Sequence, residues 1–285
     1  MIKIQTQLCK DVETLQATMG PRLAAGTCDV LVLLALGFKP AALVPFAKTV
    51  APGTPVFLAD CYGILGFSAE EGRNVELMEA GRGREYGGVG GDGGQGVVAV
   101  AFSGGGVIAT VDTLPAEGTT AHMVVAAAGS NVGAVLARQA KSIYYGGLTK
   151  ATFRFVPDRE QFEAVPYFFV STVATPRRMV GTTSFTANVK GAVRTLLNQA
   201  PTGSQVEAVA LFPCFMRGKN EYGVNNVEPD AVSELLPHVP VYGMFCHGEL
   251  GPKQCLGFDS TRKPQQVCTQ HSMTTIVAVH AARNA

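Results

Sequence analysis

The sequence predicts a mixed α/β fold of two related halves, each a β-sheet with helices on its outer face, packed around a shared core. Three observations lead there. Apolar runs of strand length alternate with amphipathic helical patterns along the chain. The spacing of proline, cysteine and glycine in the first half returns in the second. Of the 285 residues, 47% are hydrophobic and only 16% charged, which supplies a large core and excludes a disordered chain.

From the N-terminus, Val12, Leu15, Met19 and Leu23 stand at helical spacing, with Gly20-Pro21 and Gly26 as breakers. A strand is expected over 29–36, where residues 30–36 form an unbroken apolar run, the pattern of a strand buried on both faces. A short helix is expected over 39–50 and a strand over 54–59, entered through Pro55 and left through Cys61-Tyr62-Gly63. Strands follow at 96–102 and 107–111. A helix at 131–141 places Val132, Val135 and Leu136 on one face, with Ser130 as its N-cap. The second half continues with a helix at 188–199, carrying Val189, Ala192, Val193, Leu196 and Leu197 on one stripe. A strand at 206–212, a helix at 229–236 and strands at 239–245 and 274–280 complete it.

Residues 54–66, TPVFLADCYGILG, align with 239–251, VPVYGMFCHGELG. Pro55 matches Pro240, Cys61 matches Cys246, and Gly63 and Gly66 match Gly248 and Gly251. The shared punctuation points to a duplicated unit; the alternative is two unrelated strands that end in similar glycine turns. The halves are expected to divide at residue 150, as 1–150 and 151–285.

A net charge of +1 leaves no electrostatic footprint for nucleic acid or an anionic membrane. No apolar run approaches the roughly 20 residues of a bilayer span. Seven cysteines without a CxxC pair, behind an N-terminus lacking a signal peptide, predict a reduced cytoplasmic or nuclear protein.

Gly91-Asp92-Gly93-Gly94-Gln95-Gly96 is a literal GxGxxG. A dinucleotide site needs a strand before it and a helix after it, whereas a polar loop and the β-like run VVAVAF flank this one. The Gly-rich stretch 81–106 reads as a surface loop, and no cofactor is expected. Cys246-His247, Cys255 and Cys268-x2-His271 fall close together, but without the paired knuckles of a zinc site, so no metal is expected.

The chemistry concentrates at two strand exits. In Phe212-Pro213-Cys214-Phe215-Met216-Arg217-Gly218, a thiol, a guanidinium and a glycine follow an apolar strand, where α/β sheets place ligand crevices. Arg217 could fork onto a ligand carboxylate, or pair with a structural carboxylate such as Glu249. Cys214 beside that positive charge would have a lowered pKa; otherwise it is filler. In Cys246-His247-Gly248-Glu249-Leu250-Gly251, two glycines hold one glutamate in a tight turn. A cysteine hydrolase would require Cys214 to meet His247 or His271 as a base.

The CFMRG of 214–218, the exit VPVYGMFCHGELGP of 239–252 and the closing strand HSMTTIVAVH of 271–280 resemble the C-terminal part of the FIST-domain family. The match over residues 1–200 is looser, resting on VLVLLAL and PVFLADCYGILG. The resemblance implies an intracellular ligand-sensing domain for small molecules such as amino acids. From the two strand exits, the ligand-binding residues are expected among Cys214, Arg217, Gly218, Cys246, His247, Gly248 and Glu249, with Arg217 and Glu249 as the polar anchors. In F-box-bearing members the domain also recruits protein substrates to a ubiquitin ligase. Residues 1–27 are too short for an F-box, so docking of its adaptor is not expected of this chain. The expected partners are therefore a small molecule or a protein substrate, with an enzyme using Cys214 or a histidine as a further alternative.

Overall fold

The computed structural model describes residues 3–25, 28–79, 93–104, 106–114, 121–136, 143–172, 178–183, 189–198, 200, 202–252 and 268–283. Their chain path is one supersecondary pattern written three times. First come β1 (Lys3–Cys9), α1 (Val12–Ala24), β2 (Val30–Leu36), α2 (Val44–Thr49), β3 (Val56–Asp60), β4 (Gly63–Ser68), β5 (Arg73–Met78) and β6 (Gly96–Ser103). Then follow β7 (Val107–Val111), β8 (Ala121–Ala127), α3 (Val132–Leu136), β9 (Ile143–Thr149), β10 (Ala151–Val156), β11 (Gln161–Val165) and β12 (Tyr167–Thr172). Last are β13 (Arg178–Thr183), α4 (Val189–Leu197), β14 (Ser204–Pro213), α5 (Lys219–Tyr222), α6 (Val227–Ser233), β15 (Val241–Met244), β16 (Glu249–Gly251), β17 (Thr269–His271) and β18 (Thr275–Arg283).

The pairing is the same in each unit. A parallel pair (β2 with β3, β8 with β9, β14 with β15) is flanked by an antiparallel strand (β6, β12, β18). Beyond that strand lies a second antiparallel one (β1, β7, β13). Each unit also projects a hairpin, β4–β5, β10–β11 or β16–β17. These hairpins are exchanged in a ring: β4 pairs with β15 of the third unit, β16 with β9 of the second, and β10 with β3 of the first.

The ladders fix which residues are equivalent, because Leu65 faces Gly243, Phe153 faces Leu58 and Leu250 faces Gly146. Thus the sequence alignment of 54–66 with 239–251 marks a true structural correspondence, and 142–154 is its third member.

The mixed α/β class is what the molecule adopts, with helices on the outside of strands that enclose a shared core. The strands are divided between a 12-stranded and a 6-stranded sheet. The larger sheet takes strands from both ends of the chain, so a sheet does not correspond to a half of the sequence. The central core is built from equivalent triples: Phe57, Tyr145 and Tyr242; Val98, Phe168 and Ile276; Val32, Met123 and Ala210. Three further apolar clusters lie on the outer faces, under α1 and α2, beside α3, and under α4 and α6. In β2, Val30, Val32, Leu34 and Leu36 turn to the central core, and Leu31, Leu33 and Ala35 to the helices. That double burial is why this strand reads as an unbroken apolar run.

Local chemistry accounts for the helix ends. Asp11 caps α1, its Oδ1 accepting from the Thr14 amide at 2.6 Å. Leu15, Met19 and Leu23 bury its inner face, at roughly 1.5–3 kcal/mol each. The helix runs through Gly20-Pro21 to Ala24, with the proline in its last turn. Ser130 does not cap α3: its buried hydroxyl has no hydrogen-bond partner among the described residues. The segment expected to be helical at 137–141 lies outside the described residues, as does the Gly-rich stretch from 80 to 92. The run that follows the GxGxxG is the strand β6, which removes the helix a dinucleotide site requires. No helix among the described residues is long and apolar enough to cross a membrane.

Candidate functional site

The third unit's strand exits converge. Cys214 and Cys246 form a parallel bridge just beyond β14 and β15. Backbone bonds lock them in place: Cys214 N to Thr274 O at 2.9 Å, Cys246 N to Pro213 O at 2.7 Å, and Phe215 N to Cys246 O at 2.9 Å. Gly218 then turns the chain with φ +66, and a Cβ there would stand 2.9 Å from the Phe245 ring and 3.1 Å from Glu76 Oε1. Glycine is required by both the left-handed backbone and the close approach.

Arg217 is buried, and its partner is Glu228, not Glu249. Its Nε donates to Glu228 Oε1 at 2.5 Å, its Nη2 to the Tyr222 hydroxyl at 2.6 Å, and its Nη1 to Met273 O at 3.5 Å. Glu228 also accepts from Tyr222 Oη at 3.1 Å and from Thr275 Oγ1 at 3.0 Å to each oxygen. Burial pulls the guanidinium pKa down, but the Glu228 charge and hydrogen bond more than offset it, so the guanidinium stays charged. Arg217 is therefore committed inside the protein, and the fork onto a ligand carboxylate that its position suggested is occupied by Glu228.

Glu249 differs. It is fully buried at the start of β16, opposite His271 on β17 and Gly147 on β9. Its Oε2 accepts from Thr274 Oγ1 at 2.8 Å and from the Thr274 amide at 3.2 Å; among the described residues Oε1 has no partner in normal hydrogen-bond geometry, and the Cys214 thiol is the other donor beside the carboxyl. Burial pushes this carboxyl up to about 7, against the Thr274 hydrogen bonds that lower it. The equivalent positions are Ile64 and Thr152, and neither unit needs a charge there.

Cys214 lies beside Glu249. Burial, followed by the Glu249 charge, pushes its thiol up to about 11. This corrects the expectation of a thiol activated by Arg217: the charge that Cys214 feels most is negative, and a nucleophilic thiolate is disfavoured. Cys246 is raised well above the ordinary thiol value by complete burial.

His247 points outward, its ring stacked on Phe215 at 5.3 Å and tilted against Tyr62 at 5.9 Å. Its equivalents are Tyr62 and Lys150, and Lys150 Nζ stands 5.5 Å over the Tyr62 ring. His271 bonds Gly251 O through Nε2 at 3.1 Å. Gly248, with φ +122, packs against the Gln270 amide. The structure thus gathers Cys214, Cys246 and Glu249 into one buried cluster, with Arg217 and Gly218 beside it. Among the described residues, no group of three or more His, Cys, Asp or Glu is placed to hold a metal ion; Cys255 lies outside them.

Glu228, Tyr222, Thr274, Thr275 and Glu76 complete the site, and only the Thr pair lay within a motif the sequence singled out. Glu76, on β5, is buried, neither carboxylate oxygen has a hydrogen bond of normal geometry among the described residues, and burial pushes it up to about 8. In sequence it reads as one polar residue in the alternation of RNVELM.

No protein-family model matches the chain, and no curated protein matches it.

Proposed function

We propose that the chain is a small-molecule-binding domain of FIST type, in which Glu249 accepts a hydrogen bond or a charge from the amino group of an amino-acid-like ligand. The observation that carries this reading is Glu249 Oε1, fully buried and, among the described residues, without a hydrogen bond of normal geometry, at a position where the equivalent residues are Ile64 and Thr152. A buried acceptor without a donor costs about 1–3 kcal/mol, which a ligand donor would recover. Arg217 acts as a positioning residue, holding Glu228 against Thr275, one residue from the Thr274 that orients Glu249. The motif set that supports the family is similar to that of the FIST region of F-box only protein 22. A reduced cytoplasmic or nuclear setting goes with the six buried free thiols Cys9, Cys28, Cys61, Cys214, Cys246 and Cys268.

The test is a thermal-shift screen of amino acids, simple amines and carboxylates against wild type and Glu249→Gln in parallel. A ligand at about 100 times its Kd adds roughly 2.7 kcal/mol of stability. Amine-bearing hits that stabilise wild type and not the variant support the reading. Hits indifferent to the substitution, or confined to compounds without an amino group, refute it.

A further inference from the structure

The ligand anchor is sealed from solvent, and the segment beside it has the build of a strap. Its two ends, Arg217 and Glu228, are joined by the buried ion pair, and Tyr222 from its middle binds both. Between these ends the backbone turns at three left-handed residues, Gly218 (φ +66), Gly223 (φ +74) and Asn226 (φ +68). The strap's far side docks on β5, where Asn226 Oδ1 accepts from the Glu76 amide at 2.7 Å.

Beneath it sits the Glu76 carboxyl. There is no room for a cation between this group and Gly218, since a Cβ on that glycine would already be 3.1 Å from Oε1. The backbone amides of Lys219 and Asn226 draw its pKa down, but among the described residues neither carboxylate oxygen has a hydrogen bond of normal geometry. Among the described residues, the charges that bear on it are those of Glu228 and Asp230, both on α6. Glu228 is neutralised by Arg217, and Asp230 has Arg73 of β5 at 3.9 Å. An ionised Glu76 would thus be a further buried negative charge among carboxylates whose cations are already taken. The ladders place Ala164 and Gln270 at the equivalent positions of the other hairpins, so the fold does not require an acid here.

We propose that residues 218–226 are a gate over the Glu249 cluster, latched shut by protonated Glu76 and released when that proton leaves. The gating part rests on Glu249 as the ligand anchor; the latch does not. At neutral pH the latch is closed, and mild alkalinity opens it.

Two ligand-free readouts test this on the full chain, in wild type, Glu76→Gln and Glu76→Ala, the variants carrying the residues of the equivalent positions. The first is hydrogen exchange of peptides spanning 218–226, corrected for intrinsic rate, between about pH 6.5 and pH 9. Wild-type protection should fall at least tenfold across that range, and the variants should hold theirs; peptides from β2 should not respond. The second is iodoacetamide labelling of Cys214, corrected for its thiolate fraction, which should accelerate over the same range in wild type alone. Flat wild-type protection, or the same fall in both variants, overturns the latch. A loosened strap without faster Cys214 labelling overturns the gate. Either result leaves the ligand reading to be judged by its own screen.

Discussion

Glu249 stands in the third unit where Ile64 stands in the first, at matching points of two hairpins that dock on neighbouring units. Ile64 is fully buried in the central core. The same pocket of backbone therefore accepts an aliphatic side chain without penalty, and the carboxylate is an addition that stability did not ask for. Glu249→Gln, which removes the charge, should stabilise the protein by on the order of 1–3 kcal/mol at about pH 8. Urea unfolding with a constant m-value checks it. The gain should shrink near pH 5, where Glu249 itself carries a proton, and a variant less stable than wild type at pH 8 contradicts the assignment.

Glu76 and Glu249 carry the largest carboxyl contribution to the pH dependence of the fold. Both have pKa values raised by burial, to about 8 and about 7. In the native state they hold protons that the unfolded chain releases above about 4.5, so stability falls as pH rises from there through 7 and 8. Above that window the two carboxyls add no further slope, and the buried thiols, whose pKa values burial raises, take over the loss as pH passes about 9. Denaturation at about pH 5.5 and pH 8.5 should differ by a few kcal/mol in favour of the lower pH. The difference should largely vanish in the double variant Glu76→Gln/Glu249→Gln.

Arg217 is the residue whose loss should harm the fold most. Truncating it leaves Glu228 buried without its cation, a cost of about 3–5 kcal/mol. Replacing both, as Arg217→Met/Glu228→Gln, should recover much of that loss, since apolar or neutral groups of similar size tolerate such a site. A double-mutant cycle reads the coupling directly; additive losses would mean that the two side chains act independently.

Gly243 and Gly146 occupy equivalent positions in the parallel pairs of the third and second units. A Cβ would fall 1.7 Å from Leu211 O at the first and 1.8 Å from Val124 O at the second. Gly243→Ala must push β14 and β15 apart at the site's base. It should cost more than about 3 kcal/mol, as overpacking of a close-packed interior does. A normal melting temperature in this variant would show that the strands separate freely.

The first and third units were legible because each keeps the same punctuation: Pro55 and Pro240, Cys61 and Cys246, Gly63 and Gly248. The second unit has Ile143, Thr149 and Ala151 at those points, so nothing in its residue types announces it. Its hydrogen bonds do: Ala128 N bonds Thr149 O at 2.7 Å as Phe215 N bonds Cys246 O at 2.9 Å. Backbone pairing tolerates any side chain of suitable shape, which is why the ladder outlived the motif. The site divides in the same way. Cys214, Arg217 and Glu249 stood out because they interrupt apolar strands at their exits. Glu76 did not, because its neighbours come from another unit: it meets Gly218 only through the exchanged hairpin.

The central claim is that Glu249 anchors a ligand, and the most direct measurement is a chemical-shift map. Amide resonances of the wild-type protein would be followed as the strongest amine-bearing compound from the thermal screen is added. The largest shifts should fall on Cys214, Glu249, Thr274 and Thr275, with smaller ones along 217–228, and none of them should appear in Glu249→Gln. Shifts centred elsewhere, for example on the roughly 300 Å³ cleft between Arg73 and His238, would contradict the account.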